Sequence, residues 1–412
     1  MNSLRKMPRE KTLDSSCLLL MEGYRFIQKR CCKYQSDLFQ TRLMGKKVIC
    51  MSGKDAARIF YNDKYFKRQG VAPKRIQKTL LGKGGIQGLD GVAHRYRRQM
   101  FLSIMTPDNM KVLIHYIREQ WNYNSIRWNR KEIVLYDEVQ KLLCQAACRW
   151  AGVPLDYYEI NQRARDLGKM VDGFAAVGPR YWQAKRARKN TEMWIRGIIK
   201  RIRSQELHCF DNSAAYIISW HRDHYGQLLN TQIAAVELIN ILRPIVAIAT
   251  YITFGALALY EHPECRNSFW LRNPDFNQQF VQEVRRYYPF APFVGAMVKK
   301  NFIWDKYYFK KGTLVLLDIY GTNHDSRLWK HPYEFMPERF KKSDHNPYQF
   351  IPQGGGDYNN GHRCPGDMLT TEVMKASLDF IACHLSYKVP HQNMHYRLCR
   401  IPALPKSRFV IK

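Results

Sequence analysis

Apolar residues recur at helical spacing through most of this chain. The stretches 116–128, 136–152, 160–177 and about 225–261 each gather them on one face, and each predicts a helix. A further amphipathic helix is predicted over 367–385, where Leu369, Val373, Ala376, Phe380 and Ala382 form the apolar side. Strand-like runs are fewer and lie toward the two ends. The clearest are 46–51 and 313–317, each preceded by a glycine turn signal. Residues 245–260 run sixteen positions without a charge. That is short of a membrane span and has Arg243-Pro244 directly before it, so a buried core helix is expected. No repeat, low-complexity tract or linker divides the sequence. The pattern reads as one mainly helical domain over residues 1–412 with small β-sheets.

Composition changes that picture in one respect. The 66 basic residues against 35 acidic ones leave a formal charge of +31, partly clustered at 185–189 and 200–203. Such a balance first suggests nucleic acid, but no nucleic-acid motif accompanies it and the basic residues run along the whole chain. A solvated basic surface is expected, then attraction to anionic membrane surfaces; no nucleic-acid partner is expected. The eleven cysteines are irregularly spaced with no CxxC pair, which points away from a zinc site or disulfide framework and toward a reducing cytoplasm. Cys144 and Cys148 share a helix face among apolar neighbours and read as core thiols. The apolar run at 16–21 is too short for a signal peptide.

Candidate chemistry centres on Cys364. It follows Phe350-Ile351-Pro352-Gln353-Gly354-Gly355-Gly356 and sits inside Gly361-His362-Arg363-Cys364-Pro365-Gly366. Gly361 and Gly366 would let backbone N–H groups approach the sulfur, and Pro365 would open a helix whose positive end favours a thiolate. A nucleophile, a soft metal ligand and a buried structural thiol all fit this cysteine taken alone. Arg243-Pro244 breaks local rules. Proline inside a helix frees the carbonyl of Asn240 and costs about 3 kcal/mol in propensity. An arginine in an apolar helix also needs a counter-ion, either an internal carboxylate such as Glu237 or a ligand. Glu283 and Arg286, three apart, can pair on one helix face, and His94 and Arg98, four apart, project to one side.

The cysteine stretch resembles the haem-binding loop of the cytochromes P-450, whose cysteinate is the proximal iron ligand. The common pattern places the loop phenylalanine seven residues before the cysteine, whereas Phe350 lies fourteen before Cys364. The longer loop looks like that of one branch, the hydrogen-peroxide-using fatty-acid peroxygenases. The resemblance runs from about Tyr24 to Val410 and implies the cytochrome P-450 fold, mainly α with small β-sheets, enclosing haem b. By it, Cys364 is the axial ligand, and His94, Arg98 and His362 match haem-propionate contacts. Glu283, Arg286 and Arg339, the last within Pro337-Glu338-Arg339-Phe340, match a structural ion network behind the loop.

The branch also carries Arg-Pro at this place in the core helix, followed by Ile-Val-Ala-Ile as here. The resemblance implies that Arg243 pairs with the carboxylate of a long-chain fatty acid, which then serves as general acid–base for hydrogen peroxide. The acid–alcohol pair of oxygen-activating members is missing around 243–250, so no redox partner is expected. Gln87 matches a position near the substrate's α and β carbons and is taken with Arg243 as catalytic. Glutamine there accompanies hydroxylation; histidine accompanies decarboxylation to terminal alkenes. Leu81, standing where many relatives have phenylalanine, together with Ala247 and Phe290, matches the substrate lining. Hydroxylation at the α or β carbon is the reading. A decarboxylase, a reductase-driven monooxygenase and a non-catalytic haem-thiolate sensor or binding protein stand as alternatives.

Overall fold

In a computed structural model, which describes residues 4–128, 131–271, 274–341 and 346–412, the chain forms one helix-rich body with a small sheet at one side. Its centre is the pair Thr231–Ala247 and Ala249–Glu261, almost wholly buried and separated only at Ile248. These two segments form the one run among the described residues apolar and long enough to cross a membrane, yet 89% of its most apolar window lies inside the fold. The helix continues through Pro244 and breaks four residues later.

Two predicted helices are shorter than expected, each for a local reason. The 225–261 stretch starts only at Thr231, because the Asp223 carboxylate accepts from the Tyr225 and Gln227 N–H groups and folds 223–227 into a turn. Asn230 then caps the helix by accepting from Gln232 at 2.8 Å. The 160–177 stretch ends at Asp172 because Gly173 lets the next helix approach closely; a Cβ there would lie 2.5 Å from that of Ala184. The predicted strands appear as Lys46–Met51 and Leu314–Asp318, paired in parallel with Val48 opposite Leu314. The five-stranded sheet runs Leu38–Leu43, Lys46–Met51, Leu314–Asp318, Phe293–Val298, Phe66–Lys67.

The strand end at Asp318 connects the sheet to the site. Asp318 caps the short helix Ile319–Asn323 by accepting from the Gly321 N–H at 2.7 Å. Asn323 closes that helix, takes a bond from Arg286 on its carbonyl, and accepts on its side chain from the Ile351 N–H at 3.0 Å. Burial pushes the Asp318 carboxyl up to about 8. The folded chain therefore holds a proton that the unfolded chain releases above about 3.8, so this group favours folding at low pH and loses that contribution as pH rises to about 8. Asp318→Asn, neutral throughout, is expected to gain on the native chain by up to several kcal/mol between about pH 5 and about pH 8, read by urea unfolding at both.

Candidate active site

The cysteine loop is held from two sides. Its entry is fixed by Asn323, and the Cys364 N–H donates to the Gln353 carbonyl at 3.1 Å. The Gln353 side chain then turns its amide nitrogen toward the Cys364 sulfur at 3.8 Å and toward the Thr370 hydroxyl at 3.0 Å. Arg285 orients that amide by donating to its oxygen at 2.7 Å, and it also bonds Thr371 and Asp367. From the opposite side Arg98, on the helix Gly91–Ile104, donates to the carbonyls of Tyr358, Asn359 and Arg363. The loop is thus gripped by two arginines from separate helices.

Several local expectations change here. The following helix starts at Asp367 as its periodicity predicts and ends at Cys383, with Pro365 in the turn before it and not in its first helical turn. Gly361 is required by the Asp357 carbonyl, 2.5 Å from where its Cβ would stand, and not by the sulfur; a Cβ on Gly366 would meet the sulfur at an ordinary 3.9 Å. Burial, then the Asp367 carboxylate, raises the Cys364 thiol, against the Gly366 N–H, Arg98 and Arg285. The donors do not outweigh burial, so a bound cation is what would make this sulfur a thiolate.

Beside the loop lies a cluster of basic side chains. The His94 ring stacks on that of His362 with centroids 4.0 Å apart, and His362 Nε2 lies 3.5 Å from Asp90. Asp90 also accepts from the backbone N–H groups of Arg68 and Gln69. The Arg68 guanidinium is buried over the Phe60 ring, with one terminal nitrogen unpartnered. Burial, followed by His362 and Arg98, pulls His94 down to about 3, and burial also lowers His362, so both rings are held toward the neutral form while Arg68 and Arg98 carry the positive charge here. A soft sulfur ligand flanked by two arginines and two imidazoles able to donate hydrogen bonds suits a metal-centred cofactor with acidic substituents. Arg68 was not visible to sequence reasoning, since the bond from its backbone N–H to Asp90 spans twenty-two positions with no motif.

On the core helix, Arg243 is 7% exposed. Its nearest polar partner is the Asn240 side-chain oxygen at 3.3 Å, and its Nε has none. Glu237, the internal counter-ion sequence reasoning had allowed, is engaged elsewhere: Arg97 bonds it at 2.6 Å and Asn240 at 3.0 Å. Among the described residues no carboxylate forms an ion pair with Arg243. Burial, followed by the like charge of Arg188, pulls the guanidinium down to about 9, with Cys364 opposing. Gln87 joins this cluster by accepting from Asn240 at 3.3 Å. Ala247 is buried one helical turn beyond Arg243. Phe290 is half-buried and stacks on Tyr251 with centroids 4.5 Å apart, and Leu81 is half-buried beyond the Arg188 contact to the Leu80 carbonyl.

Behind the loop, Arg286 grips both Glu283 oxygens at 2.7 Å, and Arg339 approaches the same carboxylate at 3.1 Å. The two arginines spend their remaining donors on carbonyls between Asn323 and Glu334.

Residues 275–408 match the family Cytochrome P450. A solved structure of a cytochrome P450SP alpha (CYP152B1) variant is 44% identical, with TM-score 0.95, over 97% of this chain and 98% of that one. Cytochrome P450EX alpha (CYP152N1) with myristic acid is 42% identical, TM-score 0.95, over 99% and 98%. A variant of cytochrome P450 OleT in complex with arachidonic acid is 35% identical, TM-score 0.96, over 99% and 98%. Beta-amyrin 6-beta-monooxygenase of Solanum lycopersicum is 22% identical over 92% of this chain and 86% of its own length. The chain belongs to the cytochrome P450 family and is a haem-thiolate oxidoreductase. Its fold is that of the solved relatives, and its cofactor is a cysteine-ligated haem.

Removing the shared carboxylate should expose the weight of the ion network. Glu283→Gln leaves two buried guanidinium groups without their anion and is expected to destabilise the fold by about 3–5 kcal/mol, measured by chemical unfolding.

Proposed function

We propose that this protein is a fatty-acid peroxygenase that uses hydrogen peroxide to hydroxylate a long-chain fatty acid at the α or β carbon. The observation that carries the reading is Arg243: a buried guanidinium with an open donor and no paired carboxylate among the described residues demands an anion from outside. Two of the solved relatives are named with myristic and arachidonic acid, which are fatty acids. A carboxylate held by Arg243 brings the adjacent Cα and Cβ nearest to the reacting centre, so the anchor itself sets where oxidation falls.

In this reading Cys364 ligates the iron of haem b, and His94, Arg98, His362 and Arg68 receive its acidic substituents. When bound, that group supplies heterolytic cleavage of the peroxide O–O bond, assisted by thiolate donation. Arg97 pairs with Glu237, which ties up that internal acid and leaves proton transfer to the substrate carboxylate. That carboxylate takes the proton from the near peroxide oxygen and returns it to the departing one. Asn240 holds Gln87 and Arg243 in fixed relation, so the glutamine stands beside the substrate's first carbons. Peroxide brings both the oxygen atom and the oxidising equivalents, so no reductase is needed. We place the protein in the cytoplasm, drawn by its charge to anionic membranes where its substrate partitions.

Haem-loaded protein mixed with tetradecanoic acid and hydrogen peroxide, without reductase or NAD(P)H, is expected to yield hydroxylated acid by mass spectrometry. Arg243→Ala should cut that yield by about 100-fold or more, the loss of a buried charge-assisted pair. Mostly tridecene would make it a decarboxylase. No product from fully loaded protein would end the peroxygenase reading for this substrate.

A further inference from the structure

The helix Pro179–Arg203 carries nine cationic residues and one acid in 25 positions, far above the density elsewhere in the chain. The structure divides them sharply. Arg180 pairs with Asp172, Arg188 with Glu192 and the Leu80 carbonyl, and Arg203 with the carbonyls of Ser219 and Leu229. The single acid, Glu192, is thereby turned inward, where Gln232 also bonds it. The other six, Lys185, Arg186, Lys189, Arg196, Lys200 and Arg201, are all exposed. Lys185, Lys189, Arg196 and Lys200, four or seven apart, with Arg186 and Arg201 beside them, keep one side of the helix basic over about 24 Å at the rise of an α-helix.

That stripe also has apolar teeth. Trp182 is 61% exposed at its N-terminal end, with Lys185 over its ring at 5.3 Å. Val177 just before the helix is 59% exposed, and Met193 within the stripe is 48% exposed. Arg75 stacks on Tyr181 and bonds the Ala176 carbonyl, which sets the exposed Lys74 and Lys78 of the neighbouring turn beside the same end. Cations along a line with a tryptophan at the edge match an anionic bilayer, where the charges meet headgroups and the ring enters the interface. The phosphate backbone of duplex nucleic acid makes no use of exposed Trp182 and Met193 on the same face as the cations.

We propose that the outer face of Pro179–Arg203 is where the protein docks on an anionic lipid bilayer. This deepens the fatty-acid reading and rests on it. The inner face of the same helix bonds the segment holding Leu80 and Leu81, so docking sets the pocket wall against the phase that holds the substrate.

The test is co-sedimentation of the holoprotein with vesicles of phosphatidylcholine alone and of phosphatidylcholine with phosphatidylglycerol in equal parts. Three proteins are compared: the native chain, the triple variant Lys185→Glu/Arg186→Glu/Lys189→Glu, and a control of identical charge change, Lys300→Glu/Lys310→Glu/Lys311→Glu, on a remote exposed hairpin. The expected result is binding to the anionic vesicles only, weakened about 100-fold by the helix variant and no more than a few-fold by the control. Trp182→Ser, which leaves the charge untouched, should also weaken it. Equal weakening by both triple variants, or none by the helix variant, overturns the docking face while leaving membrane attraction standing. Failure of the native chain to bind anionic vesicles overturns both, and binding to duplex nucleic acid in their place would assign the stripe to that partner. None of these outcomes bears on peroxide-driven turnover of dissolved fatty acid, which tests the enzymatic reading separately.

Discussion

A guanidinium sealed inside an apolar helix pair must find an anion or give up stability, and in this fold Arg243 finds none among the described residues. The surrounding side chains maintain that deficit. Arg97 occupies Glu237, the Asn240 amide offers only a weak neutral acceptor, and Arg188 adds a second positive charge nearby. Each of these makes the interior more receptive to a carboxylate and less able to supply one. The fatty acid in this view is both substrate and missing side chain. Selectivity for acids over alcohols or hydrocarbons follows, because only an acid relieves the charge.

The opposite wall of the site is built on the same economy of charge. Cys364 is surrounded by donors from Gln353, Gly366 and the arginines, yet burial keeps its thiol raised. Both walls are incomplete without what they bind: one lacks an anion and the other a cation. Beside the cysteine loop stand the imidazole pair His94 and His362 and the Arg68 guanidinium, which keeps one unpartnered nitrogen. Such a protein is expected to gain much of its rigidity on loading.

The sequence made the helical core, the two main strands and the cysteine helix legible because their periodicities are strong and local. It also exposed Arg243-Pro244, since a charge and a proline inside an apolar run conflict with every local rule. Helix ends were less visible: the turn at Asp223 and the close approach at Gly173 depend on partners that periodicity does not register. The role of Arg285 and Gln353, the pair that sets an amide against the sulfur, was not visible there, although Gln353 lies within the loop itself. Arg285 sits beside the conspicuous Glu283 and Arg286, and its partner lies sixty-eight residues away. Arg68 was hidden for the same reason. What sequence alone cannot reveal is which long-range contacts turn ordinary polar residues into site residues.

Arg98 holds the cysteine loop through three main-chain carbonyls, not through side chains. A backbone grip is indifferent to which residues supply the carbonyls. The Asn359 side chain can therefore be exchanged while the sulfur stays in place. Loop length and wording can diverge until a pattern search no longer finds them, although the three-dimensional anchor is unchanged. The unusual fourteen-residue interval from Phe350 to Cys364 is what such freedom looks like in a single chain.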